Sequence, residues 1–330
     1  EGAQWEKGVK TNVGFDMNLF NSLNITADYF QEKRSDIFMQ RRIIPAESGV
    51  IGSLNPYANL GKVKNKGVDF SIDFNKAINK DLIVSAKANF TYATNKLLDR
   101  DEPTYPENEQ YRSEIGKPLN CYTGLVAIGL FKDEEDIANS PEQTFSPYTV
   151  GDIKYKDLNG DNKIDGNDRQ IIGKPTVPEI VYGFGGSVQY KGWDFSVFFQ
   201  GVANTSMLMS GIHPFNSDQS SLFKFIADDH WTPENPDAAY PRLITNINSH
   251  NNFESSTYWL RNGAFLRLKS AEVGYTYKFL RVFVSGENLL TFSPFKHWDP
   301  ELGGQSSEHM GNGLRYPNLR VGTVGLQMNF

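Results

Sequence analysis

In the stretch GVDFSIDFNKA, Val68, Phe70, Ile72 and Phe74 alternate one for one with Asp69, Ser71, Asp73 and Asn75. LIVSAKANFTYA repeats the pattern, setting Leu82, Val84, Ala86, Ala88, Phe90 and Tyr92 against Ser85, Lys87, Asn89 and Thr91. Successive strand side chains point to opposite faces, so each segment carries one apolar and one wet surface. No helix fits that period. The alternation predicts strands near 11–20, 23–34, 67–77, 81–93, 121–131, 178–190, 192–202, 263–279, 281–290 and 318–330. Several exceed the roughly five or six residues common in globular sheets. They reach the roughly 9–11 residues that a tilted strand needs to cross a bilayer.

The connections alternate too. NKAINKDL (75–82) and YKGW (190–193) read as tight turns, whereas 35–66, 94–120, 132–177, 203–262 and 291–317 are long, polar and rich in Pro, Asn, Asp and Gly. Loops of that length are uncommon in compact domains, while membrane barrels combine short turns on one side with long loops on the other. A large soluble β-sandwich with insertions is the alternative. One junction lacks a turn signal: VGYTYKFLRVFVSGEN has no Gly, Asn, Asp or Pro between Phe279 and Arg281. It reads either as one very long strand or, preferably, as a place where a loop is missing from the numbered chain.

Composition narrows the function classes. Aromatics reach 13% of the 330 residues, a supply suited to strands and membrane belts. A net charge of −6 argues against a nucleic-acid partner, which calls for a basic patch. Cys121 is the single cysteine, so neither an internal disulfide nor a cysteine zinc site can form. No run of about 18 apolar residues offers a transmembrane helix, which leaves spanning strands open. The opening EGAQWEKGVK lacks the apolar core of a signal peptide, as a mature or excised segment would.

Within DLNGDNKIDGND, Asp157, Asn159, Asp161, the Lys163 carbonyl, Asp165 and Asp168 recur at the spacing of a calcium loop. Asn162 stands where a glycine is usual, Asp168 where a longer Glu is, and no helix flanks the loop. It is therefore no EF-hand sensor. Two readings stay open: a structural calcium site that stiffens a long loop, or an Asx-rich turn without metal. His213, His230, His250, His297 and His309 are scattered, with no paired metal-ligand or nucleophile motif. GFGGS (183–187) lies inside a strand pattern, where glycine relieves crowding or bends the strand. Nothing here implies an enzyme. Trp231, Tyr258, Trp259 and Trp298 lie in or beside the long segments. They are candidates for stacking on sugar rings or for lid contacts, with loop packing or an interfacial belt as the alternative. In NLRVGTVGLQMNF, Val324, Leu326, Met328 and Phe330 share the apolar face of a closing strand that would face lipid.

These stretches, with GDIKYKDLNGDNKIDGNDRQIIGKPTVPEIVYGFGGSVQYKGWDFSVFFQGV, NVGFDMNLFNSLNITADYF, GKVKNKGVDFSIDF and RVFVSGENLLTFSPFKHWDPELGG, resemble SusC-type TonB-dependent transporters across nearly the whole chain. The resemblance implies an all-β fold: residues 1–330 as the C-terminal portion of a transmembrane antiparallel β-barrel of about 22 strands. The plug and the early strands would lie outside this chain. It further implies a bacterial outer-membrane location and TonB-driven import of oligosaccharides or peptides. Its partners would be a SusD-like surface lipoprotein lid, the N-terminal plug and barrel segment, the TonB complex and outer-membrane lipid. The rival reading is a secreted, calcium-stiffened β-sandwich that binds carbohydrate.

Overall fold

The computed structural model describes residues 3–49, 54–209, 222–244, 251–302 and 316–328. Nine long strands build its wall: β1 (Lys7–Leu19), β2 (Leu23–Gln40), β3 (Tyr57–Asn79), β4 (Leu82–Asp99), β5 (Ile180–Tyr190), β6 (Trp193–Ala203), β7 (Phe265–Tyr277), β8 (Leu280–Phe292) and β9 (Val321–Met328). They form one antiparallel sheet in chain order, each strand pairing with its sequence neighbour.

Register turns the alternation of single strands into two opposed surfaces. One row runs Met17, Ile25, Ile72, Ala88, Phe184, Phe199, Leu268 and Leu290, directly paired across β1 to β8. All eight are apolar. The row one residue away runs Asp16, Thr26, Ser71, Asn89, Gly183, Gln200, Arg267 and Thr291. None of these is a hydrocarbon side chain. A slip of one residue would exchange the two surfaces completely, so this register is strongly specified.

The apolar surface is bare. Phe15 is 55% exposed and Leu326 68%, and among the described residues no second sheet packs on it. The two-layer sandwich is thereby excluded, because its apolar faces would meet each other. Val324, Leu326 and Met328 lie on this bare surface in register with Val284, Val282 and Leu280. Phe330 lies outside the described residues.

All four tight turns sit at one end of the wall, joining residues 19–23, 79–82, 190–193 and 277–280. The fourth corrects the expectation of a missing loop. Tyr277 pairs with Leu280 and the chain reverses through Lys278 and Phe279 alone. Lys278 takes φ 52°, a left-handed conformation usually left to Gly or Asn, which is why no turn signal marked the site. A second correction concerns 121–131, which adds no wall strand. It forms two short strands, Tyr122–Gly124 and Ala127–Leu130, that pair with other loop segments, Gln170–Ile172 and Ile153–Tyr155.

The buried hydrophobic residues gather outside the wall. Leu125, Ile153, Tyr155, Ile164, Met207, Ile226 and Trp259 are 2% exposed or less, and all come from the long connections at the other end. The segments 100–179, 204–209, 222–244, 251–264 and 293–302 thus share an interior of their own, a cap over the wall.

Candidate functional site

Hydrogen-bonding side chains line the polar surface of the wall. Thr26 Oγ1 donates to Asp16 Oδ1 at 2.7 Å, Asn18 Nδ2 to Asn24 Oδ1 at 2.6 Å, and the Ser85 and Ser187 hydroxyls meet at 2.6 Å. A groove there is bounded by Asn24, Asp73, Asn75, Ser85, Lys87, Ser196, Phe198 and Ser270. Three phenylalanines intrude on the polar surface, each above a strand glycine. Phe30 covers Gly67, Phe198 covers Gly183 and Gly185, and Phe283 covers Gly325. Gly183 and Gly185 of GFGGS therefore make room for a ring from the neighbouring strand, while Gly186 lies close to the Ser85 carbonyl. The Lys87 ammonium lies 5.1 Å from the Phe198 ring centre and the Arg281 guanidinium 4.8 Å from that of Phe283, within cation–π range. Near the tight turns, Arg281 also bridges Asp194 at 2.5 Å and Glu272 at 2.6 Å, tying three strands together.

At the cap end the wall and the loops are joined by polar contacts. Glu179, 8% exposed, accepts from the Thr94 hydroxyl at 2.5 Å and from the Asn204 amide. Arg267 on β7 is 1% exposed and pairs with Asp299 at 2.5 Å and Glu301 at 3.3 Å, fastening the segment 293–302. Inside the cap, Asp152 is fully buried. Its carboxylate accepts from Arg242 Nη2 at 3.0 Å and from Asn252 Nδ2 at 2.8 Å. Asn252 Oδ1 accepts from the Ile153 amide, and the Trp259 indole donates to the Asn252 carbonyl at 2.9 Å. Gln143 and Asn251 continue the network at 2.6 Å. A buried charge is tolerated only with such partners. This network has no motif, because its hydrogen bonds join residues up to 108 positions apart.

The loop aromatics belong to this interior. Trp259 is 2% exposed, and Tyr258 and Trp298 pack against the same core. Trp231 lies across Gly151, whose φ of +84° lets the chain pass beneath the indole. Trp259 is the most enclosed of the four, while Trp231, Tyr258 and Trp298 keep part of their surface exposed. His297 stacks on Phe225 at 3.9 Å and its Nε2 lies 3.2 Å from the Tyr240 hydroxyl, while His230 is tied to the Ala227 carbonyl. His213, His250 and His309 lie outside the described residues.

The acidic loop is closed by its own backbone. The Asp157 carboxylate accepts from Gly160 N at 2.6 Å and Asn162 N at 2.8 Å, and Asn162 adopts φ 67°. Asp161 accepts from Lys163 N and Asp165 from Asn167 N. Asp168, fully buried, accepts from Leu158 N and Asp165 N at 2.8 Å each. Burial pushes the Asp168 carboxyl above its ordinary pKa, against the two amides that favour the charged form. The Tyr111 hydroxyl donates to the Asn167 carbonyl at 2.6 Å, and burial, aided by the Asp168 charge, pushes its pKa up to about 12. Among the described residues no three His, Cys, Asp or Glu side chains converge on a common centre. Of the six expected calcium ligands, Asp157, Asn159, Asp161, Asp165 and Asp168 each accept a backbone N–H of the loop, and the sixth is the Lys163 carbonyl.

Comparison with known proteins agrees with this architecture. The family described as "TonB dependent receptor-like, beta-barrel" matches residues 2–289. TonB-dependent receptor P26 of Formosa agariphila is 28% identical over 99% of this chain, and TonB-dependent receptor SusC of Bacteroides thetaiotaomicron is 23% identical over all of it. The solved RagAB peptide importer in its "closed-closed" state superposes with a TM-score of 0.69 at 25% identity over 99% of the chain. The chain spans only 35% of the receptor P26, 32% of SusC and 36% of the solved importer chain. With its antiparallel wall, short turns and long cap, this chain belongs to the TonB-dependent receptor-like β-barrel family.

Proposed function

We propose that the chain is the C-terminal wall and loop cap of an outer-membrane importer driven through TonB. The carrying observation is the pair of adjacent rows, eight apolar residues on one side and polar or glycine positions on the other. A wall of that kind separates hydrocarbon from a wet lumen. β1 and β9 end the sheet with outer backbone edges unpaired among the described residues. In lipid each unpaired group costs several kcal/mol, so further strands of the same receptor complete the barrel, together with its plug. The short turns then face the periplasm and the cap faces outward, beneath a SusD-like lipoprotein lid.

Cargo passes along the polar surface as an oligosaccharide or a peptide. Serine, asparagine, carboxylate and cation–π groups there offer many weak, reversible contacts, which suits passage better than chemistry. The chain is a conduit and not an enzyme. The test uses the full-length receptor in its own cells, compared with a strain lacking TonB. Detergent-dependent recovery from the outer membrane, a co-purifying lipoprotein and TonB-dependent uptake of labelled oligosaccharide or oligopeptide are expected. Recovery as a detergent-independent soluble protein would overturn the reading.

A further inference from the structure

Just beyond the apolar band, on the same outward surface and toward the cap, lysines face one another across three strands. Lys33 pairs directly with Lys64, and Lys64 directly with Lys96. Directly opposed strand residues have Cβ atoms only about 4.5–5.5 Å apart, and like charges there are destabilising. The row beneath reads Gln31, Lys66 and Thr94, and the next Tyr29, Val68 and Tyr92, the aromatic edge of the band. Among the described residues none of Lys33, Lys64, Lys66 and Lys96 forms an ion pair. The carboxylates above them are engaged, Asp36 with Lys7 and Asp99 with Lys62, and Glu32 lies one residue off, on the lumen side of β2, where it holds Arg34. Three unneutralised lysines therefore stand at one level, two outward rows beyond tyrosines that mark a membrane interface, with Lys66 in the row between.

We propose that Lys33, Lys64 and Lys96, with Lys66, bind the phosphate of an anionic lipid headgroup in the leaflet on the cap side. The inference rests on the membrane placement above. Lysine stems lie along apolar surface while their ammonium groups reach the headgroup level, and a phosphate offers the acceptors this row lacks. Charge complementarity selects the ligand: the opposed lysines repel one another when empty, and a bound phosphate removes that repulsion.

The full-length receptor is placed in phosphatidylcholine discs doped with lipid A, or with lipid A stripped of phosphate, and the lipid it retains is quantified. Wild type should keep the phosphorylated form at least about fivefold better, the preference that one well-placed lysine gives near an anionic surface. The Lys33→Gln/Lys64→Gln/Lys96→Gln variant should hold both forms equally. A wild-type ratio near one, or an undiminished preference in the triple variant, would overturn the proposal while leaving the barrel placement intact. Failure of wild type to enter any disc would instead overturn that placement. In lipid-free detergent Lys64→Gln should melt no lower than wild type, and a marked drop would show the row to be structural.

Discussion

At the residue scale, position depends on which side chain a strand can do without. A Cβ at Gly67 would strike the Phe30 ring and the Tyr92 carbonyl oxygen, one of them backbone. Gly67→Val is therefore expected to lower receptor stability by about 1–3 kcal/mol or more, the usual cost of overpacking. A lower unfolding midpoint with an unchanged apolar band would show it. Gly322, above which nothing lies within 4 Å, is the control and should tolerate Ala. The acidic loop gives a second expectation. Asp168→Ala strands the Leu158 and Asp165 amides and should cost about 1–3 kcal/mol, read as faster proteolysis within 157–168. Because the carboxylates serve the backbone, added calcium or its chelation should leave that rate unchanged. A calcium-dependent rate would favour the cation reading. The spacing of those residues was legible, but whether a carboxylate turns toward a centre or toward its own backbone is not written in spacing. The loop tryptophans show the same limit, since burial depends on segments remote in sequence.

At the level of elements the sequence spoke most plainly. Strand period is two and the apolar and polar rows differ by one residue, so the wall's faces follow from the order of residues alone. Boundaries were less legible. β3 begins at Tyr57, ten residues before the expected 67, because its outer end, KVKNK, sets lysines on the face where the apolar band would otherwise continue. The segment 121–131 alternates like a wall strand yet pairs inside the cap, where short strands use the same period. The turn at Lys278 was invisible because its left-handed residue is a lysine. Face assignment in β9 can be tested directly. Leu326→Arg puts a charge on the exposed apolar surface and should destabilise assembly by about 2–4 kcal/mol at mid-bilayer depth. Thr323→Arg, on the opposite face of the same strand, should be tolerated far better. Equal loss of folded, heat-modifiable receptor from both would contradict the register.

For the whole molecule the division of labour is unusual only if the core is sought in the sheet. The wall meets surroundings of opposite kinds on its two faces and is held by its hydrogen-bond ladder, while the buried hydrophobic interior lies in the cap. The two should therefore fail separately. Asp152 is fully buried and Arg242 is its cationic partner, so Arg242→Met leaves a buried charge uncompensated, which typically costs about 3–5 kcal/mol. That loss falls on the cap, where Asn252, Gln143 and Trp259 depend on the same network. Cap segments 222–244 and 251–260 should become protease-sensitive at temperatures where wild type resists, while the barrel still migrates as a folded, heat-modifiable species. On the proposed importer function, uptake should fall with the cap even though the wall persists, since cargo would be received there before it passes. Simultaneous loss of barrel mobility and cap protection would mean that the wall and cap fold as one unit, and that the loops hold the strands in register.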